Sequence, residues 1–158
     1  MGERKVEVRT PLFDRLVDRD PKLRHEVRPM RTLDRRGLKE SVRRDLELLL
    51  NTRCPLPAHR IPMRDRSVVD YGIPDFTALS PARFDDRGTL AEAMVRAINA
   101  FEPRLTEVRV RLDPVAGDEK SLAATIEAKL MIGHVAEPVS FATLLQLGDG
   151  LIEVFDAD

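Results

Sequence analysis

Three observations predict an α+β fold. Two segments carry apolar residues at the helical period, an aperiodic stretch rich in proline separates them, and after Pro103 the period switches to two and stays there to the C-terminus. The implied architecture is two main helices packed on a small antiparallel C-terminal sheet, with a short additional helix near the N-terminus. At 158 residues the chain is long enough to bury one core. The expected organisation is an N-terminal short helix and charged connector over 1–33, followed by a single α+β domain over 34–158.

Thr10 before Pro11 reads as an N-cap with proline at the first helical position, opening a short helix through LFDRLVDRD that Pro21 closes. Residues 19–33, with Pro21, Pro29 and many charges, read as an exposed connector. Asp34 is the expected N-cap of the first long helix, in which Leu38, Val42, Leu46 and Leu49 define one apolar face. Glu40 and Arg44 form an expected i, i+4 pair on its other side. The helix is expected to stop near Asn51 or Thr52, ahead of Pro55.

From Cys54 to Gly88 no period survives, and the apolar residues of SVVDYGIPDFTAL are expected to pin the middle of this loop to the body. Thr89 and Glu92 have the spacing of a capping box for the second helix, whose face is Leu90, Met94, Ile98 and Phe101. Glu102 precedes a proline, which disfavours helical geometry and ends the helix. Val108, Val110 and Leu112 then alternate with Glu107, Arg109 and Arg111, which predicts a half-buried strand. LAATIEAKLMI and VSFATLLQL repeat the alternation, and GDG at 148–150 turns the chain into a last short strand, LIEVF. That strand carries only Glu153 ahead of Asp156, so its edge is expected to be weakly protected by charge.

The composition narrows the chemistry. The net charge of −1 conceals a basic half, with 18 Lys and Arg against 11 Asp and Glu over residues 1–66, and an acidic half, with 8 against 16 over 67–158. Arginines that alternate with acids and lack aromatic neighbours argue against nucleic-acid binding and favour a bipolar surface that orients protein partners. No apolar run reaches the roughly 20 residues of a membrane span, and the N-terminus lacks an apolar secretory core, so the default compartment is the cytoplasm. The single cysteine agrees with a reducing compartment.

His25, His59 and His134 are scattered without ligand spacing, which argues against a metal site, and no phosphate-loop or dinucleotide glycine pattern is present. Cys54, between Arg53 and Pro55, is either a reactive thiol or, more simply, an ordinary loop cysteine. Paired carboxylates remain the one enzymatic theme available. With no Trp and one Tyr, however, the chain lacks the usual platforms for sugar rings. No catalytic residue and no cofactor is expected.

The stretches ESVRRDLELLLNTR (40–53), SVVDYGIPDF (67–76) and FEPRL (101–105), with PLFDRL near the start, resemble in order the TssE family of type VI secretion baseplate proteins. These are relatives of the small wedge protein of contractile phage tails that carries the label lysozyme-like. The resemblance implies a structural component of the baseplate wedge that is not an enzyme. Its implied partners are the wedge proteins TssF and TssG and the sheath subunits, in a hetero-oligomeric assembly in the cytoplasm docked to the inner-membrane complex. It implies that the C-terminal strands are handshake-like, similar to the strand-exchange module of sheath subunits, and template the start of sheath polymerisation. The family's docking motif falls here on Glu102, Pro103 and Arg104.

A peptidoglycan-cleaving hydrolase and a wedge protein of a phage tail or another contractile system are the alternatives. The physical expectation at the motif is that Pro103 stiffens the corner and holds the two charges for a partner. The plainer expectation is a helix stop with both charges solvated.

Overall fold

The computed structural model describes residues 8–16, 22, 32–57, 60 and 66–157. In order it holds β1 (Val8–Arg9), α1 (Leu12–Leu16), β2 (Thr32–Leu33), α2 (Arg35–Asn51) and a 3-10 turn (Val68–Asp70). There follow α3 (Phe84–Phe101), β3 (Leu105–Val115), β4 (Asp118–Ile132), β5 (Val135–Gln146) and β6 (Leu151–Asp156). Over the described residues the fold is mixed α+β with three α-helices, dominated by a four-stranded antiparallel sheet in the order β3-β4-β5-β6, beside a two-stranded pair of β1 and β2. The pair is an addition to the expected elements: the end of the connector is a strand, with Leu33 buried, rather than exposed chain.

The α2 helix forms where its pattern places it. The Asp34 carboxylate accepts from the Gly37 amide at 2.8 Å, and Leu38, Val42, Leu46, Leu49 and Leu50 are buried. They join one cluster with Leu90, Met94 and Ile98 of α3 and the inward residues of the sheet. A fully buried aliphatic side chain contributes about 2 kcal/mol, whereas a partly exposed ion pair such as Lys39 with Asp156 contributes about 0–1 kcal/mol. Packing, not surface charge, therefore holds α2 in place.

Three local expectations are corrected. Thr10 does not cap α1 through its side chain, because its hydroxyl is buried without a hydrogen-bond partner. Of the expected short helix Leu12–Leu16 is helical, and 17–21 lie outside the described residues. Glu40 pairs with Arg43 rather than with Arg44, which is drawn to Asp14.

The third correction concerns α3, which starts at Phe84, before the expected capping box. The Thr89 hydroxyl instead donates back to the Asp85 carbonyl at 2.9 Å, inside the helix. Asp85 and Asp86 sit in the first turn, where the helix dipole favours acids, and the Asp86 carboxylate takes the Ser80 amide at 2.9 Å.

The middle of the long loop is pinned, as expected, though not by Val68 and Val69, which are exposed. Ile73 and Phe76 are buried, and Ile73 runs parallel to Arg53, with bonds Cys54 N to Ile73 O at 2.8 Å and Ile73 N to Thr52 O at 3.0 Å. Gly72 lies at φ +108°, and a Cβ there would come 2.2 Å from the Thr52 carbonyl oxygen. Only glycine fits such a place.

In the sheet, Leu122, Ala124, Ile126, Ala128, Leu130 and Ile132 all face the core, as do Phe141, Thr143 and Leu145. β3 keeps Val108 and Leu112 inward by a bulge between Thr106 and Arg109, where Glu107 takes φ +53°. Its Pro114 lies on an edge strand, one of the few sheet positions that tolerate a residue without an N–H.

Candidate functional site

The corner from α3 to β3 is built by Pro103. The Glu102 N–H still donates to the Ile98 carbonyl at 2.8 Å, but its backbone has left helical geometry at φ −120°, ψ 79°. The Leu105 N–H then closes a turn on the Glu102 carbonyl at 3.1 Å, with proline at the second position. Arg104 enters the sheet by accepting the Met131 amide at 2.8 Å.

The two charges of the corner neither dissolve into solvent nor stand free for a partner. Glu102 is buried, at 3% exposure. Arg104 donates from Nε to Glu102 Oε1 at 2.6 Å and from Nη2 to Glu102 Oε2, the bidentate fork of a strong guanidinium–carboxylate pair. Its other contacts reach α2, with Nη1 to Ser41 Oγ at 3.0 Å and Nη2 to the Asp45 carboxylate. Ser41 in turn donates to Asp14 Oδ2 of α1 at 2.6 Å, and Arg44 holds the other oxygen of Asp14. Three carboxylates and two guanidiniums thus tie α1, α2 and the corner together, with one negative charge to spare.

The electrostatics follow from this closure. Burial by itself would lower the Arg104 pKa, but the hydrogen bonds and charges of Glu102 and Asp45 outweigh it and hold the guanidinium above its ordinary value. Burial would likewise raise the Asp14 carboxyl, yet the hydrogen bonds from Ser41 and Arg44 and the charges of Arg44 and Arg104 bring it below its ordinary value. The Tyr71 hydroxyl is pushed up, first by burial and then by the charges of Asp45 and Glu102.

Tyr71 also explains why the stretch 67–76 belongs to this site. Its ring meets Phe101 edge to face, with centroids 5.1 Å apart, while Arg66 lies over the other ring at 4.7 Å. Beside the network runs a groove of about 970 Å³ lined by Phe13, Leu16, Leu48, Tyr71, Phe101 and Pro103, with Asp45 and Arg104 also on its wall. Phe13, Leu16 and Leu48 are 80%, 69% and 59% exposed, so the groove is an open apolar surface.

The corner residues were legible in the sequence, whereas Asp14, Ser41, Asp45 and Tyr71 were not singled out. The available signal was a serine and an aspartate four residues apart, flanking the apolar stripe of α2 on one side. Of the other candidates, Cys54 is buried, His134 is exposed at the β4–β5 turn, and His25 and His59 lie outside the described residues. Among the described residues no three His, Cys, Asp or Glu side chains form a group able to hold a metal ion. None of the described helices is long and apolar enough to cross a membrane.

The pattern of the family described as Baseplate wedge protein gp25 matches residues 36–134, more than half of the chain, with α2 from its second residue onward, all of α3 and the corner. The chain belongs to that baseplate wedge family. Among solved structures it is similar to a chain of "The baseplate complex from the type VI secretion system", with a TM-score of 0.52 and 17% identity over 70% of this chain and 96% of that one. At that identity the likeness speaks for the fold alone. No curated protein matches the chain. As a wedge-family member the protein has a structural role in a baseplate, and the corner motif and the 67–76 clamp lie inside the matched region.

Proposed function

We propose that this baseplate wedge protein is the TssE-type component of a type VI secretion system. In that reading it docks on the helical core formed by TssF and TssG and templates the first ring of contractile sheath, without catalysis, in the cytoplasm beside the inner-membrane complex. The observation that carries the docking half is the groove beside Pro103. Its apolar side chains are open, while the charges of Glu102 and Arg104 are already paired within the chain.

The motif then acts as a scaffold: Glu102 and Arg104 fix the wall, Pro103 and the apolar side chains make the contact, and Asp45, 35% exposed, offers the spare negative charge. The fitting partner surface is an apolar helix stripe with a basic residue set to meet Asp45. The templating half rests on the four-stranded antiparallel sheet at the C-terminus and on the handshake-like role that the family resemblance implies for those strands.

Co-expression with the wedge proteins tests the docking. Leu48→Asp, at an exposed groove position, is expected to leave a folded chain that no longer co-purifies, and Arg104→Ala is expected to lose co-purification together with stability. Normal recovery of both variants would refute docking at this corner.

A further inference from the structure

The charges of the corner do not balance, and the imbalance has one address. Arg104 gives Nε and Nη2 to the two oxygens of Glu102 and Nη1 to Ser41, while Arg44 is held by Asp14. Asp45 receives only a share of Arg104 Nη2, through Oδ2, and among the described residues nothing bonds to its Oδ1. Its side chain is 35% exposed on the groove wall, so it is the carboxylate whose charge the chain leaves over. Beside an apolar surface, where the local dielectric is low, such an anion gains more from a cation than it would in open water.

The aromatic pair next to it is unequal. Arg66 lies over the Phe101 ring at 4.7 Å, as Arg53 lies over Phe76 at 4.3 Å, so the chain already uses its rings as platforms for guanidinium groups. Tyr71 meets Phe101 edge to face, but among the described residues no cation lies over its own ring and no hydrogen bond reaches its hydroxyl. Burial and the charges of Asp45 and Glu102 raise the pKa of that hydroxyl, so at neutral pH it is a phenol able to donate or accept. Carboxylate and ring line the same groove. Together they fit a flat cation that lies on a ring while its N–H groups meet a carboxylate, which a guanidinium does and a compact, strongly hydrated ammonium does less well.

We infer that Asp45 and Tyr71 form an arginine seat in the groove: the guanidinium pairs with Asp45 and lies on the Tyr71 ring, and Tyr71 selects it over lysine. That the arginine is carried by a wedge core protein rests on the proposed function; the seat itself does not.

Tyr71 is the one tyrosine of a chain without tryptophan, so its fluorescence reports the seat without a label. The full chain is titrated with N-acetyl-arginine amide and, separately, with N-acetyl-lysine amide. The arginine probe is expected to change Tyr71 emission saturably, and the lysine probe to bind about fivefold more weakly, the factor that about 1 kcal/mol of cation–π contact supplies. Equal responses to the two probes, or no response to either, overturn the inference, and this comparison needs no variant. Asp45→Asn, shown by circular dichroism to be folded, is expected to weaken the arginine response about fivefold. An arginine response that this variant leaves unchanged also overturns the seat. If the probes separate while Leu48→Asp still co-purifies with the wedge proteins, the seat stands and docking at the corner falls. If Leu48→Asp is lost from the wedge and the probes do not separate, docking stands and the seat falls.

Discussion

The Glu102–Arg104 corner and the β6 edge both fill polar groups from α2, but with opposite consequences. At the corner the pairing is buried and bidentate, and it reaches through Ser41 to Asp14 on a third element. At the edge the pairing is partly exposed and made by separate side chains, Arg43 and Asn51, each bonded directly to the β6 backbone. The contrast teaches that satisfied polar groups need not be satisfied alike: a closed network ties three elements into one wall, whereas separate side chains cap the backbone groups of a sheet edge one at a time.

The largest expected effect falls on the wall. Arg104→Ala strands the Glu102 carboxylate at 3% exposure, and urea unfolding should show a loss of about 3 kcal/mol, the range for a broken buried pair. Glu102→Gln in the same chain should recover much of that loss, because the uncompensated charge is gone. A loss below about 1 kcal/mol would mean that the corner behaves like a surface pair and would erase the contrast.

A smaller effect should appear with pH. The Asp14 carboxyl is held below its ordinary value, so its contribution to stability is fully present above the unfolded pKa of about 4 and is lost as pH falls through the folded value. Asp14→Asn should therefore be less stable than wild type near pH 7, with the gap closing in acid. A gap that does not change with pH would show that Asp14 is not coupled to the network.

The edge should show the smallest cost. Removing the side chains of Asn51 and Arg43 is expected to lower stability by no more than about 1 kcal/mol, since the buried stripe of α2 remains. A loss as large as that of Arg104→Ala would show that the edge caps are as integral to the core as the corner and would erase the contrast.

How much of this was legible depends on the range of the interactions. The strands announced themselves, because Leu122 to Ile132 and Phe141 to Leu145 alternate without interruption and period two has one structural meaning. The start of α3 did not, because Phe84–Gly88 has no apolar period, and Thr89 with Glu92 imitates a cap while sitting inside the helix. The β1–β2 pair was too short to leave a pattern.

At the site, Pro103 showed where the helix stops and which residues form the corner. It did not show that Arg104 turns inward, because the groups that turn it, Ser41 and Asp45, lie 63 and 59 residues away in the chain. The same holds at β6, where the sequence suggested an edge weakly protected by charge and the protection comes from Asn51, 101 residues distant.

The central claim is that the apolar groove beside Pro103 is the docking surface and the charged corner its support. Hydroxyl-radical footprinting of the full chain, alone and co-expressed with the wedge core proteins, tests this most directly. The expected result is that Phe13, Leu16, Leu48 and Tyr71 lose reactivity on assembly, while the exposed Phe84 and Val68 keep theirs. An assembled wedge in which the four groove side chains stay as reactive as in the free chain would contradict the account.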